Sequence, residues 1–457
     1  MSYRAPTPPG KRPKLTSDIA VMPNVPSTPV ASRRRHPLSW VPTLYFAQGL
    51  PYFAVNLIAQ QMFISGKVPT DQMTLWLGIM TFAWGFKWLW SPFLELAPSQ
   101  KAVVVAFQCL GAIGLAGVAA SLQLHSFFGM AVTALVAVSL FSATHDVSSD
   151  GLYMAQLNNR EQAEYAGWQG AFFNVARYAS SGVLLILAGK LEASSGFSQA
   201  WTVIFGIASA ILLALGLYHL FALPGDAASD RPRQSFGDVS RTLGHVLLEF
   251  LKKPGIWLAI VFIILFRASE GQVQTIGPIF LRAARAAGGL ALSTDQVGWA
   301  YGTWGTIAFI GGSMVGGYFS AWLGLRRAMV WLIVAMNLPS VAFVFLSLAQ
   351  PTNVAVIASA LSVEMFGYGF GFVGVILYLM QVVAPGKFRT AHYAIGSGVM
   401  GLGMSFFKII SGPIETALGY QNFFIWGLLC AIPVLVLLRF VPLTPTGDAQ
   451  ADTSVSA

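Results

Sequence analysis

The chain has 457 residues, of which 55% are hydrophobic and only 10% charged, with a formal net charge of +9. A mean hydropathy of +0.64 excludes a water-soluble globular domain of this length and leaves an all-α polytopic membrane protein. The two cysteines, Cys109 and Cys430, both lie in apolar runs, which excludes a disulfide framework or a zinc site; no metal and no cofactor is expected.

Residues 1–37 are rich in proline and base, with "KRPK" and "RRR", and lack the apolar core of a cleaved signal peptide; a disordered cytoplasmic tail is expected there. Apolar stretches of roughly 20 residues, the length that crosses a bilayer as a helix, then follow twelve times. They lie near 38–64, 72–93, 102–123, 127–154, 165–190, 199–223, 255–281, 296–322, 327–348, 353–383, 391–415 and 421–441. A polar connector at 224–254 divides them into six-helix bundles at 38–223 and 255–441, and 442–457 forms a second cytoplasmic tail. Within the connector, "VSRTLGHVLLEFLKK" sets Val239, Leu243, Val246, Leu247 and Phe250 on one helical face, as for a helix lying along the membrane surface.

With both termini cytoplasmic, 19 of the 27 lysines and arginines fall on the inside, against Lys67, Lys190, Arg282 and Arg285 outside. This satisfies the positive-inside rule and accounts for the net charge through attraction to anionic membrane lipid, with no nucleic-acid partner required.

A charge at the bilayer centre costs about 2.5–3.5 kcal/mol on insertion scales, so each one points to a partner or a water-filled cavity. In span one, Tyr45, Gln48, Tyr52 and Asn56 form a stripe of aromatic, hydroxyl and amide groups suited to sugars and peptides. Lys87 stands near the inner end of span two and is expected to snorkel to the surface. In span four, "SATHDVSSDGL" places Asp146 and Asp150 on one face and His145 on a neighbouring one. Span five offers Asn174 and Arg177 at helical spacing. Folding the span four–five hairpin brings Arg177 level with Asp146, so an Asp146–Arg177 pair is expected, serving either packing or gating. Asp150, nearer the inner surface, is expected to cap a helix or pair with Arg160.

In span seven, Arg267, Glu270 and Gln274 line a stripe in "FRASEGQVQTIGP", whose Gly271 and Pro278 point to a broken or bent helix. Glu364 is the lone acid of span ten, with Tyr368 one turn later, and is the candidate to take and release a proton. Lys408 in span eleven either snorkels outward or offers a cation to an anionic solute. The substrate and cavity set is therefore Tyr45, Gln48, Tyr52, Asn56, Asn174, Arg267, Gln274, Tyr368 and Lys408; the proton-coupling or gating set is Asp146, Asp150, Arg177, Glu270 and Glu364.

Two loops sit at equivalent places after the second and eighth spans, "SPFLELAPSQK" and "GGYFSAWLGLRR". Both resemble degenerate copies of the glycine, acid and basic loop motif of the major facilitator superfamily. The first keeps Glu95 and Lys101; the second keeps Gly317, Gly324, Arg326 and Arg327 but has Ala321 in place of the acid. "KWLWSPFLE", the "SAT-x-D-x-x-x-D" of 142–150 and "GAFFNVARYASSG" are similar to the AmpG-type muropeptide permease branch, and Asp146, Asp150 and Arg177 match its buried polar positions.

The resemblance implies a twelve-helix major facilitator fold and a non-enzymatic, monomeric permease of the bacterial cytoplasmic membrane. It would move a small-molecule solute with protons by alternating access. The solute implied is a muropeptide or a related amino-sugar or peptide compound, with a siderophore or other organic anion as the alternative. A membrane-embedded enzyme or a lipid flippase-like protein is the reading from another class, but no nucleophile elbow, metal spacing or phosphate-binding glycine loop supports it.

Overall fold

The backbone polar groups of an apolar run have no water to bond in a bilayer core, so the run must pair them within itself and becomes a helix. The structure, a computed structural model, describes residues 35–94, 96, 97, 99–124, 126–225 and 235–443, and among these it holds helices and no strand. The first two spans run over 41–65 and Thr70–Phe86. Gln100–Ser121 and Phe127–Gln156 are the third and fourth. The fifth and sixth, 159–195 and 197–222, are one continuous ribbon broken at Gly196, whose φ of 78° lies in the left-handed region that favours glycine.

In the second half the spans are 256–282, 294–323, 325–349, 354–383, 389–418 and 420–437. The last two are again one ribbon, broken at Gly419 with φ 70°. Twelve crossings return residues 41 and 437 to the same face, called here the terminal side; the opposite face is the far side. Glu95 of the first loop motif, residues 1–34 of the first tail and residues 444–457 of the second fall outside the described residues.

The connector helix, Phe236–Leu251, starts from a capping box in which Ser235 and Asp238 bond each other's backbone amides. The serine's hydrogen bonds hold the Asp238 carboxyl below the usual carboxylate range. Val239, Val246 and Phe250 of its apolar face are buried, Leu243 and Leu247 half-buried. Lys253, just beyond it, donates to the carbonyls of Val383 (2.6 Å) and Pro385 (2.8 Å), the unsatisfied end of span ten.

The halves meet along two seams. Spans two and eleven touch over their whole length: a Cβ on Gly398 would lie 2.4 Å from Trp88 near the terminal side, and one on Gly412 would lie 2.2 Å from Thr74 near the far side. Spans five and eight touch in their far halves, where each widens to π geometry, over Ala179–Leu184 and Gly298–Gly305. There a Cβ on Gly302 would lie 1.7 Å from the Ser181 carbonyl oxygen, so only glycine fits. Toward the terminal side, Gly167 and Gly170 of span five face open space.

Candidate functional site: a charged cavity between the halves

Between these seams lies a cavity of about 120 Å³, lined from span one by Tyr52, Asn56 and Gln60 and from span two by Thr81. Span five contributes Arg177, span seven Arg267, Glu270 and Gln274, span ten Tyr368 and span eleven Lys408. Pockets for drug-sized ligands run to roughly 300–1,000 Å³, so a large solute enters only when the halves part.

Span seven breaks at Arg267, where Ile256–Phe266 ends and Ala268–Arg282 begins. The break is one turn earlier than Gly271 suggests, and Pro278 sits inside the continuous second segment. It delivers the guanidinium to Glu270 through two hydrogen bonds, Nε to Oε2 at 2.6 Å and Nη2 to Oε1 at 3.3 Å. Both side chains are buried, and each neutralises the other.

The remaining cavity cations have no such partner. Arg177 stacks its guanidinium 4.3 Å from the Phe309 ring centre across the span five–eight seam, and among the described residues it makes no ion pair. Lys408 does not snorkel: it is buried and donates to two neutral oxygens, Asn56 Oδ1 at 2.8 Å and Thr81 Oγ1 at 3.2 Å. With Arg267 and Glu270 cancelling, the cavity lining carries an excess of two positive charges. Glu364 stands behind the wall. Gln274 Nε2 donates to its Oε1 at 2.9 Å while its buried Oε2 has no partner, and Tyr301 donates in turn to the Gln274 carbonyl oxygen.

The polar residues of span four form a separate cluster inside the first half. Asp146 accepts from Lys87 and from Gln48, so the expected Asp146–Arg177 pair is replaced by Asp146–Lys87. The physical reason is height: span four ends at Gln156 and span five begins at Asn159, so Arg177 stands about 12 Å farther from the connecting turn than Asp146 and meets span eight, while Lys87 folds back into the bundle instead of snorkelling. Asp150 accepts from the Tyr45 hydroxyl at 2.9 Å, which takes the role expected of a loop cation such as Arg160. Asn174 bonds its own helix at the Gly170 carbonyl (2.9 Å) and is not part of the cavity lining; it lies nearly one turn closer to the terminal side than Arg177.

On the adjoining face, a buried chain links Thr43, His219, Gln108, His145 and Ser149 through contacts of 3.0, 3.0, 2.8 and 3.2 Å. Thr43 has one hydroxyl proton and two acceptors for it, the Trp40 carbonyl (3.1 Å) and His219 Nε2. Spent on Trp40, it leaves Thr43 to accept from His219, so the Gln108 amide nitrogen faces His219 and its oxygen faces His145. Spent on His219, it reverses both tautomers and turns the amide over. Both polarities keep both rings neutral; in each, Gln108 and Ser149 meet His145 at Nε2 and its buried Nδ1 has no partner among the described residues. The chain ties spans one, three and six to span four, one residue from Asp146.

The far side is closed by a network that sequence reasoning missed. Arg282 at the end of span seven approaches Glu192 of span five at 3.9 Å and donates to Ser65 of span one at 3.1 Å. Thr294 accepts from Arg282 and donates to Glu192, whose other oxygen accepts from Trp201 at 2.7 Å. Opposite charges at the far ends of two spans were the available signal, but as loop charges they carried no pairing information until the halves were assembled.

The family model for the Major Facilitator Superfamily matches residues 43–406. The chain belongs to the major facilitator superfamily. It is a multi-pass membrane transporter of the major facilitator fold, and among the described residues twelve spans fall into two sets of six, as the sequence predicts. Among curated relatives, the chain is 21% identical to the anhydromuropeptide permease of Escherichia coli (strain K12), over 86% of this chain and 77% of that one. It is 27% identical to putative transporter AmpG 1 of Rickettsia felis (strain ATCC VR-1525 / URRWXCal2), over 40% of this chain and only 39% of that one. The AmpG-type resemblance of the first-half motifs therefore extends through most of the chain in the E. coli protein. The fold is shared with solved structures of a D-xylose-proton symporter (TM-score 0.65, 14% identity, 89% of this chain and 97% of that one) and of the nucleoside transporter NupG (0.65, 16%, 88% and 98%).

In this superfamily member, the sequence-predicted residues divide cleanly. Tyr52, Asn56, Arg177, Arg267, Glu270, Gln274, Tyr368 and Lys408 converge on the central cavity. Glu364 touches it through Gln274, whereas Tyr45, Gln48, Asp146 and Asp150 belong to the cluster within the first half.

Proposed function

We propose that this transporter imports an anionic, muropeptide-type solute across the bacterial cytoplasmic membrane by proton symport, with both termini in the cytoplasm. The observation that carries the reading is the excess of positive charge in the cavity. Arg177 and Lys408 line it without a carboxylate partner among the described residues, beside the Tyr52 and Tyr368 rings. A muropeptide offers what such a wall recognises: carboxylates for the cations and sugar faces for the aromatics. Curated relatives named for anhydromuropeptide transport support the solute class, and the distribution of lysine and arginine supports the orientation.

Glu364 supports coupling to protons. A carboxyl with one oxygen unpartnered in an apolar span is stabilised by binding a proton, and its hydrogen bond to the cavity residue Gln274 links its charge to the occupied site. Uptake of a radiolabelled anhydromuropeptide into proteoliposomes tests the solute assignment. Arg177→Gln and Lys408→Gln should each raise the half-saturating concentration at least tenfold. Transport of a ferric siderophore or a simple organic anion, with no competition by the muropeptide, would overturn the solute class and leave the anionic preference standing.

A further inference from the structure

Span ten draws spans eight and nine against itself by glycine contacts on both flanks. Gly312 and Gly316 sit beneath the Phe366 and Phe370 carbonyls, and Gly367 and Gly371 beneath those of Ala335 and Leu332. Spans eight and nine are joined by a turn at Gly324 (φ 76°) and diverge from it, so a V-shaped groove of about 460 Å³ is left between them, floored by Phe370. Its walls are apolar: Phe319 and Trp322 on span eight, Trp331, Ala335 and Pro339 on span nine. On span nine its lining runs from Trp331 to Pro339, roughly 12 Å at 1.5 Å per residue, most of one leaflet of a hydrocarbon core about 30 Å thick.

The mouth of the groove is cationic. Arg327 precedes Trp331 by four residues, so it stands one turn below it on the groove-facing stripe, at the terminal-side surface. Arg326 and Arg327 are both exposed, and among the described residues neither has an ion pair or a side-chain hydrogen bond. The position where the loop motif would supply an acid holds Ala321. An apolar slot that reaches through most of one leaflet, with two exposed arginines beyond its terminal-side end, is the complement of an anionic phospholipid.

We propose that this groove is a specific lipid site, with one acyl chain between spans eight and nine and the headgroup phosphate held by Arg327 and Arg326. The site lies outside the transport cavity and does not depend on which solute the protein carries.

The test uses the full-length protein in detergent, with dioleoyl phosphatidylglycerol or dioleoyl phosphatidylcholine added at equal concentration. Phosphatidylglycerol should raise the melting temperature more than phosphatidylcholine, and native mass spectrometry should show one retained phosphatidylglycerol. Arg326→Gln with Arg327→Gln should remove the difference between the two lipids, and Ala335→Phe, which fills the groove, should remove the retained lipid. Equal stabilisation of the wild type by both lipids, or a preference for phosphatidylglycerol that survives the double arginine substitution, would overturn the proposal. Should either variant be too unstable to purify, Trp331→Ala with native mass spectrometry gives the same decision, because loss of the groove wall should release the bound lipid and its retention would refute the site.

Discussion

Lys87, at the terminal-side end of span two, and Asp146, midway along the polar stretch of span four, form an ion pair inside the first half, with Gln48 of span one donating to the same carboxylate. The pair is partly exposed, at 26% and 13% of the two side chains, so removing one member should fall at or below the lower end of the roughly 3–5 kcal/mol seen when a fully buried pair is broken. Lys87→Met and Asp146→Asn should each lower the melting temperature in detergent. The double substitution should recover most of the loss, and a coupling energy near zero would show that the two charges act independently.

Arg282 and Glu192 hold the far side closed across the halves. A pair of this exposure is worth about 1 kcal/mol, or roughly fivefold in the ratio of closed to open. Glu192→Gln or Arg282→Gln should therefore expose the cavity to the far side. In a background without native cysteines, Asn56→Cys should react about fivefold faster with a membrane-impermeant thiol reagent applied from that side. Unchanged labelling would mean that the glycine-to-backbone contacts of spans five and eight close the far side alone.

His145 occupies a chain of neutral hydrogen bonds, so an amide should replace it. His145→Gln should keep both stability and transport, because glutamine also offers a donor and an acceptor. His145→Leu leaves the Gln108 amide unpaired in an apolar bundle, at a cost of about 1–3 kcal/mol. Nitrogen NMR of labelled histidine should report neutral rings at both His145 and His219, and an imidazolium at either would contradict this account.

Lys253 lies outside the spans, and burial pushes its pKa down from the ordinary 10.5 to about 8. Because the folded value is the lower one, the unfolded chain binds more protons between these limits. The cost of holding this ammonium out of water is thus present below pH 8 and relieved as pH rises toward 10. Against Lys253→Met, which has no such titration, the wild type should gain in melting temperature over that interval. A constant difference would place the amine in free contact with water.

The fold was legible because the bilayer imposes a single rule on every apolar run, and the two six-span halves follow from hydropathy and one polar connector. The charged residues themselves were also legible, since each stands out against an apolar background. Their partners were not. Asp146 and Arg177 would stand level only if the hairpin turned a few residues later than it does: span four ends at Gln156 and span five begins at Asn159, which sets the two about 12 Å apart in height, and no spacing within a span encodes where the turn falls. Arg177 therefore reaches Phe309 in the other half, and Lys87 is the cation that meets Asp146. Gln108 and His219 went unnoticed for a related reason: a single polar residue in an apolar helix gives no sign of a chain until its three neighbours are placed beside it.

The most direct test of the account is accumulation of a radiolabelled anhydromuropeptide by proteoliposomes under an imposed proton gradient, comparing wild type with Glu364→Gln. The wild type should accumulate solute and lose that ability when a protonophore is added. Glu364→Gln, fixed in the equivalent of the protonated state, should still exchange solute by counterflow but fail to concentrate it. Accumulation that survives the protonophore and requires sodium, or that persists in Glu364→Gln, would contradict it.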